Sequence, residues 1–121
     1  MAGVYDRRRG TAIVENKNGV LVVAQRYTFL LPGGGPKGKE YQIQAAIREL
    51  IEETGLYPVE VKYLFKFQRA KVFLIRTKGN PRPRNEIKKI AYYKPDGNVN
   101  VSYNTKKIIE MYINLKNSRK I

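Results

Sequence analysis

Two hydrophobic rhythms run through the chain, and they divide it into helices and strands. Between residues 41 and 54, Ile43, Ala46, Ile47 and Leu50 recur at i, i+3, i+4 and i+7, which marks one face of an amphipathic helix, with Gly55 placed to end it. A second helix is predicted over 105–116 from the single stripe Ile108, Ile109, Tyr112 and Leu115, with Asn104 as its cap. Strands are expected at 11–15 and 20–25, joined by Asn16-Lys17-Asn18-Gly19, a strong hairpin signal. The segment 20–25 is apolar on both faces and so is expected to be buried on both. Residues 59–67 alternate with period two, setting Val59, Val61, Tyr63, Phe65 and Phe67 against Glu60, Lys62, Leu64 and Lys66, and 70–77 reads as the hairpin partner. A Gly-, Asn- and Pro-rich loop covers 77–85, a strand opened by Glu86 runs over 87–94, and Pro95-Asp96-Gly97 is a turn. Hairpins and a mixed β-sheet, with one helix after the early strands and one at the end, predict an α/β (α+β) chain. Its layers form a three-layer α/β/α sandwich with the sheet between the helices, and residues 1–121 form a single domain.

Charge changes this picture at one place. The sequence carries 24 Lys and Arg against 10 Asp and Glu, a net +14, yet Glu40, Glu49, Glu52 and Glu53 fall within or beside the first helix. Glu49, Glu52 and Glu53 stand at i, i+3 and i+4, so they share a ridge about one turn tall beside the apolar face. Like charges at this spacing oppose helix formation by a few tenths of a kcal/mol per pair, roughly, unless a cation sits among them. Arg48 reaches Glu52 at i+4, but one arginine does not neutralise three carboxylates. Mg²⁺ would, because it favours carboxylate oxygens and keeps open positions for a phosphate. The bland alternative is an amphipathic helix with a solvated acidic face.

Gly34, five residues, Glu40, seven residues, Arg48-Glu49-Leu50, one residue, Glu52-Glu53, one residue, Gly55-Leu56 resembles the Nudix box, G-x5-E-x7-R-E-U-x-E-E-x-G-U, with every fixed position filled. By average composition such a match arises by chance on the order of once in 10⁷ chains of this length. A plain amphipathic helix gives no reason for Gly34, Glu40 and Gly55 to stand in register. The resemblance implies the α/β/α Nudix fold and a Mg²⁺-dependent hydrolase of nucleoside diphosphates linked to another moiety. It also implies that Glu49, Glu52, Glu53 and the Gly33 carbonyl hold one or more Mg²⁺ ions, with Mn²⁺ as a possible substitute. Arg48 would orient the carboxylates, and Glu40 would bind an outer metal or cap the helix start. The base would be a box glutamate or Glu86, whose place resembles that of a further carboxylate in many relatives. One departure from those relatives is Lys39, where they carry a glycine directly before the box's first glutamate.

Composition excludes other chemistry. With no cysteine and no histidine, disulfides, thiol nucleophiles, imidazole bases and the usual zinc sites are ruled out. Only Ser102 and Ser118 are serines, which leaves little room for a serine triad. The first ten residues lack an apolar core of the signal-peptide kind, and the longest apolar run, 20–24, is too short to cross a bilayer; a cytoplasmic location, with no membrane partner, is expected.

The remaining candidates surround the box. Gly34 and its neighbours in Pro32-Gly33-Gly34-Gly35-Pro36 permit close backbone approaches and are candidate substrate contacts. Tyr27 is a candidate for stacking on a base, with ordinary packing as the alternative, and Arg26 and Arg84 are candidates for phosphate. Lys78, Arg82 and Arg84 also suit a solvated basic loop. The expected substrate is a nucleoside triphosphate, canonical or oxidised, giving monophosphate and pyrophosphate; ADP-ribose or a nucleotide sugar is the alternative. The marks that sort such relatives downstream of the box are absent, since that region reads Lys71-Val72-Phe73-Leu74. A reading of another class, a nucleic-acid-binding or nucleotide-sensing module, is motivated by the net charge. A monomer or homodimer is expected.

Overall fold

The computed structural model describes residues 8–121. Arg7 and most of the N-terminal stretch read above lie outside the described residues. The elements in order are β1 (Gly10–Ile13), β2 (Glu15–Asn16), β3 (Gly19–Ala24), β4 (Gly33–Gly34), α1 (Gln42–Thr54), β5 (Tyr57–Phe67), β6 (Ala70–Lys78), β7 (Lys89–Tyr93) and α2 (Tyr103–Asn117).

The strands form two sheets. One is mixed, in the order β4-β1-β6-β5, with β1 parallel to β6 and the other pairs antiparallel; the second is antiparallel, in the order β2-β3-β7. The expected strand 11–15 divides at Val14. Its first part pairs with β4 and β6, and its last residues pair with β3. The Leu21 amide still donates to the Val14 carbonyl at 2.8 Å, which stitches the two sheets together.

Period-two alternation then distributes the core between two helices. Ala12, Val14, Leu21, Phe73 and Ile75 pack with Ala46 and Leu50 of α1. Ile13, Val20, Val22, Val72 and Tyr93 point the other way and pack with Ile108, Ile109 and Tyr112 of α2. The expected layering is therefore present, and β3 is buried along its whole length. Helix α1 meets the sheet through Ala45 and Ala46 and not through Ile43, which is partly exposed. The approach is close: a Cβ on Gly10 would strike the Gln42 carbonyl and come within 2.7 Å of the Ala46 nitrogen, so only glycine fits there.

Three expectations change. The alternation of β5 is interrupted between Tyr63 and Phe65, where the register against β6 shifts. Beyond this bulge Phe65 and Phe67 pack on the α2 side, whereas Val61 packs on the α1 side, and a second register shift at Val59 leaves only Val61 and Tyr63 in the expected phase. Helix α2 is capped by Ser102, whose Oγ accepts from the Thr105 amide at 3.1 Å; Asn104 lies inside the first turn. Glu86 sits in a turn ahead of β7 and does not open it.

Candidate active site

Helix α1 carries the acidic ridge, and its C-terminal end is tied down by a distant loop. Gly55 takes a left-handed conformation, φ 73°, and its amide donates to the Ile51 carbonyl at 2.8 Å. The other orphan carbonyls of the last turn are taken by residues 82–85. The Arg82 amide donates to Thr54, the Arg84 amide to Glu53, the Asn85 side chain to Glu52 and the Arg84 guanidinium to Ile51, at 2.9, 3.1, 2.9 and 3.3 Å. The Arg84 cation thus lies against the negative end of the helix dipole. Expected as a phosphate ligand, Arg84 is instead engaged with the helix and does not line the pocket described below.

At the other end of the ridge Arg48 gathers ligands. It binds Glu40 bidentately, at 2.8 Å through Nε and 3.0 Å through Nη2, and donates to the Gly35 carbonyl at 3.1 Å and to Glu52 at 3.3 Å. Glu40 also accepts from the Lys37 amide at 2.9 Å. The Arg48 hydrogen bonds, helped by this amide, hold the Glu40 carboxyl down at about 2. Glu40 therefore fastens the loop before α1 to the helix through Arg48; it does not cap the helix start, whose N-cap is Tyr41.

Glu49 and Glu53, separated by four residues, turn into a cavity of about 580 Å³. Also lining it are Arg9, Arg26, Tyr27, Gly33 and Glu86. Glu53 is only 8% exposed, and its Oε1 accepts from the Gly33 amide at 3.2 Å. Burial, reinforced by the nearby Glu49 and Glu86 charges against the opposing Gly33 hydrogen bond and Arg9, pushes its carboxyl up to about 8. Burial raises Glu49 as well, with Arg48 pulling the other way. Gly34 does not line the cavity. It lets Glu49 in, because a Cβ there would collide with the carboxylate and lie 2.7 Å from its Cδ. Glu52 is also outside, more exposed and paired to Arg48. The ridge of three acids thus divides, since Glu53 lies about 40° around the helix from Glu49 on one side and Glu52 about 60° on the other.

Arg9 is the residue that sequence reasoning missed. It sits beside Glu53 and Glu49, donating to the Thr11 hydroxyl at 3.2 Å and to the Leu31 carbonyl at 3.4 Å, and its burial disfavours the charged form that the two glutamates favour. In the sequence it was one of three consecutive arginines ahead of the first strand, and only its place directly before Gly10, the point of helix contact, sets it apart.

Among the described residues no three acidic side chains form a ready-made metal cage. The donor set nonetheless fits a hard divalent cation: Glu49, Glu53 and Glu86 line one cavity, the first two resisting ionisation, with Glu52 nearby and Arg9 and Arg48 as counter-charges.

A family model described as NUDIX domain matches residues 5–112. The chain belongs to the Nudix family. Among solved structures, a protein assigned to the Nudix hydrolase family from Chromobacterium violaceum is 41% identical, covering 91% of this chain and 78% of its own, with a TM-score of 0.85. An ADP-ribose pyrophosphatase from Streptococcus suis aligns at 18% identity over 92% of this chain and 90% of its own, TM-score 0.66, and a MutT Nudix hydrolase from Burkholderia pseudomallei at 19% over 84% and 94%, TM-score 0.64. These last two show a shared fold. No curated protein matches the sequence. As a Nudix enzyme the chain is a pyrophosphohydrolase acting on a nucleoside diphosphate linked to a further group, in a family that uses divalent metal. No helix among the described residues is long and apolar enough to cross a membrane.

Proposed function

We propose that this Nudix enzyme hydrolyses nucleoside triphosphates, canonical or oxidised, to a nucleoside monophosphate and pyrophosphate, with Mg²⁺ as the cofactor and Mn²⁺ able to replace it. The supporting observation is that one cavity joins Glu49, Glu53 and Glu86 to Arg9, Arg26 and Tyr27. Carboxylates for a cation, guanidiniums for phosphate and a ring 79% exposed for a base line the same cavity.

Glu49 and Glu53 would hold the cation, with Glu52 outside the cavity as a further candidate and the Gly33 carbonyl as another ligand. Bound there, a divalent ion neutralises phosphate charge and acidifies the attacking water. The chain's own groups do the rest. Arg48 fixes the ridge through Glu40 and Gly35, so the carboxylates do not rotate away. Arg26 faces the leaving pyrophosphate, where a fixed cation is worth most as charge develops. Tyr27 stacks the base, its ring already 5.9 Å from the Lys89 ammonium. Water oxygen bonds to phosphorus, the bond to the bridging oxygen breaks with its electron pair leaving on pyrophosphate, and the water proton passes to a cavity carboxylate, Glu86 or a box glutamate.

ADP-ribose or a nucleotide sugar is the second reading, favoured by the fold shared with the S. suis pyrophosphatase. The deciding experiment screens triphosphates, oxidised triphosphates, ADP-ribose, dinucleoside polyphosphates and capped RNA with Mg²⁺, resolving the products chromatographically. Monophosphate plus pyrophosphate, abolished by chelator and restored by Mg²⁺ or Mn²⁺, is expected. Orthophosphate as the sole inorganic product, or turnover of ADP-ribose alone, would sink the triphosphate assignment. A cytoplasmic location goes with this reading.

A further inference from the structure

A second cavity, of about 620 Å³, opens beside the N-terminal half of α1 and shares no lining residue with the first. Its walls are aromatic and its rim is basic: Tyr41 and Tyr63 are 75% and 51% exposed, Phe73 forms the floor, and Lys71 and Arg8 stand at the edge. The Tyr63 ring lies 5.6 Å from that of Phe73, tilted by 59°, and is half exposed.

The register of the hairpin adds an independent sign. Tyr63 stands opposite Phe73, and Lys66 stands opposite Lys71. Directly opposed residues share a face, so the bulge between Tyr63 and Phe65 brings Lys66 onto the Tyr63 face, away from Phe65. Like charges directly opposed are unfavourable in a sheet unless an anion comes between them. Among the described residues, the one acid on the wall, Glu40, is occupied by Arg48 and the Lys37 amide.

From this juxtaposition we propose that the cavity between α1 and the β5–β6 hairpin binds a nucleotide unit, its base stacked on Tyr41 or Tyr63 and its phosphate held at Lys66 and Lys71. A flat ring with an attached anion is the ligand chemistry that satisfies both halves of the site. A free mononucleotide and one residue of a single strand both carry it.

The test uses the whole chain in chelator, so that nothing is hydrolysed, at low salt. AMP and a 5′-labelled oligoadenylate of about ten nucleotides, inside the span such surfaces cover, are titrated by fluorescence anisotropy and by quenching of tyrosine emission, which no tryptophan obscures. Tyr41→Ala and the pair Lys66→Glu with Lys71→Glu alter exposed side chains outside the catalytic cavity, so their triphosphate turnover and thermal midpoint serve as folding controls. Binding is expected to fall about tenfold for the tyrosine variant, the weight of one stacked base, and further for the charge reversal. Loss for AMP and oligoadenylate together identifies a mononucleotide site, and loss for the oligonucleotide alone identifies a strand-binding site. Binding of the oligonucleotide that the variants leave unchanged, or no binding of either probe by the parent protein, overturns the proposal.

Discussion

The two ends of the acidic ridge hold similar groups in opposite electrical states. At one end Glu40 meets Arg48 through two hydrogen bonds and a backbone amide, and its carboxyl is held at about 2. At the other Glu53 shares a buried cavity with Glu49 and Glu86, has Arg9 as counter-charge, and is pushed up to about 8. Both glutamates are fixed positions of the same motif, yet one is satisfied by the chain and the other is left in deficit. A matched acid organises the backbone. An unmatched one, buried at a cost, holds its proton or offers a place to a cation.

The sharpest way to break this comparison is Glu53→Gln, which keeps the shape and removes the charge. Hydrolysis is expected to fall by about 10³-fold or more if Glu53 has the proposed role of metal ligand or base. A folded variant with near-parental Mg²⁺-dependent rates would show that Glu53 is not part of the machinery. The same variant also tests the pH consequence. With a folded value of about 8 against an ordinary 4.5, the metal-free protein keeps a proton that the unfolded chain gives up. Its stability should therefore fall as pH rises from 4.5 to 8 and then level. Thermal midpoints in chelator should show this slope in the parent and a flatter one in Glu53→Gln.

Gly34→Ala comes next. The added methyl meets the Glu49 carboxylate, so a drop of about 10²-fold in turnover is expected with little change in fold, the scale on which small misplacements act. Unaltered kcat would mean that Glu49 moves aside freely. Arg84→Ala should cost about 0.3–1 kcal/mol by removing a cation from the helix C-terminus, measured by denaturant titration, and should weaken turnover only through the ridge. A KM increase with stability unchanged would restore Arg84 as a substrate ligand. The smallest effect is expected from Glu40→Gln in acid. Because the folded value lies below the ordinary one, the pair's contribution is full above 4.5 and is lost as pH falls toward 2. Parent and variant should therefore converge in stability there.

How much of this could be read beforehand follows from the range of each interaction. Both helices and the doubly buried β3 are local patterns and stand where their periodicity put them, though the α1 stripe is turned so that Ala45 is buried and Ile43 is not. The pairing of Arg48 with Glu52 was visible for the same reason. Arg9 was hidden because its partners lie some forty residues on and reach it only through the Gly10 contact with α1. The contact of Arg84 with the end of α1 was hidden because a basic loop looks the same whether it faces phosphate or a helix end. The β5 bulge leaves no mark in an alternating sequence; only the pairing with β6 reveals that Lys66 has changed sides. The Ser102 cap was accessible, since serine precedes the helix at the right distance, but Asn104 carried the same signal nearer the stripe.

The hold of residues 82–85 on the last turn of α1 makes that stretch a tether of fixed length. Surface loops usually tolerate insertion and deletion cheaply. Here a residue added between Gly79 and Pro81 leaves the grip intact as slack, whereas one removed between Arg82 and Asn85 would drag Glu53 out of alignment without altering a single acidic side chain. Relatives and designed variants would then differ freely in length on one side of Arg82 and hardly at all on the other.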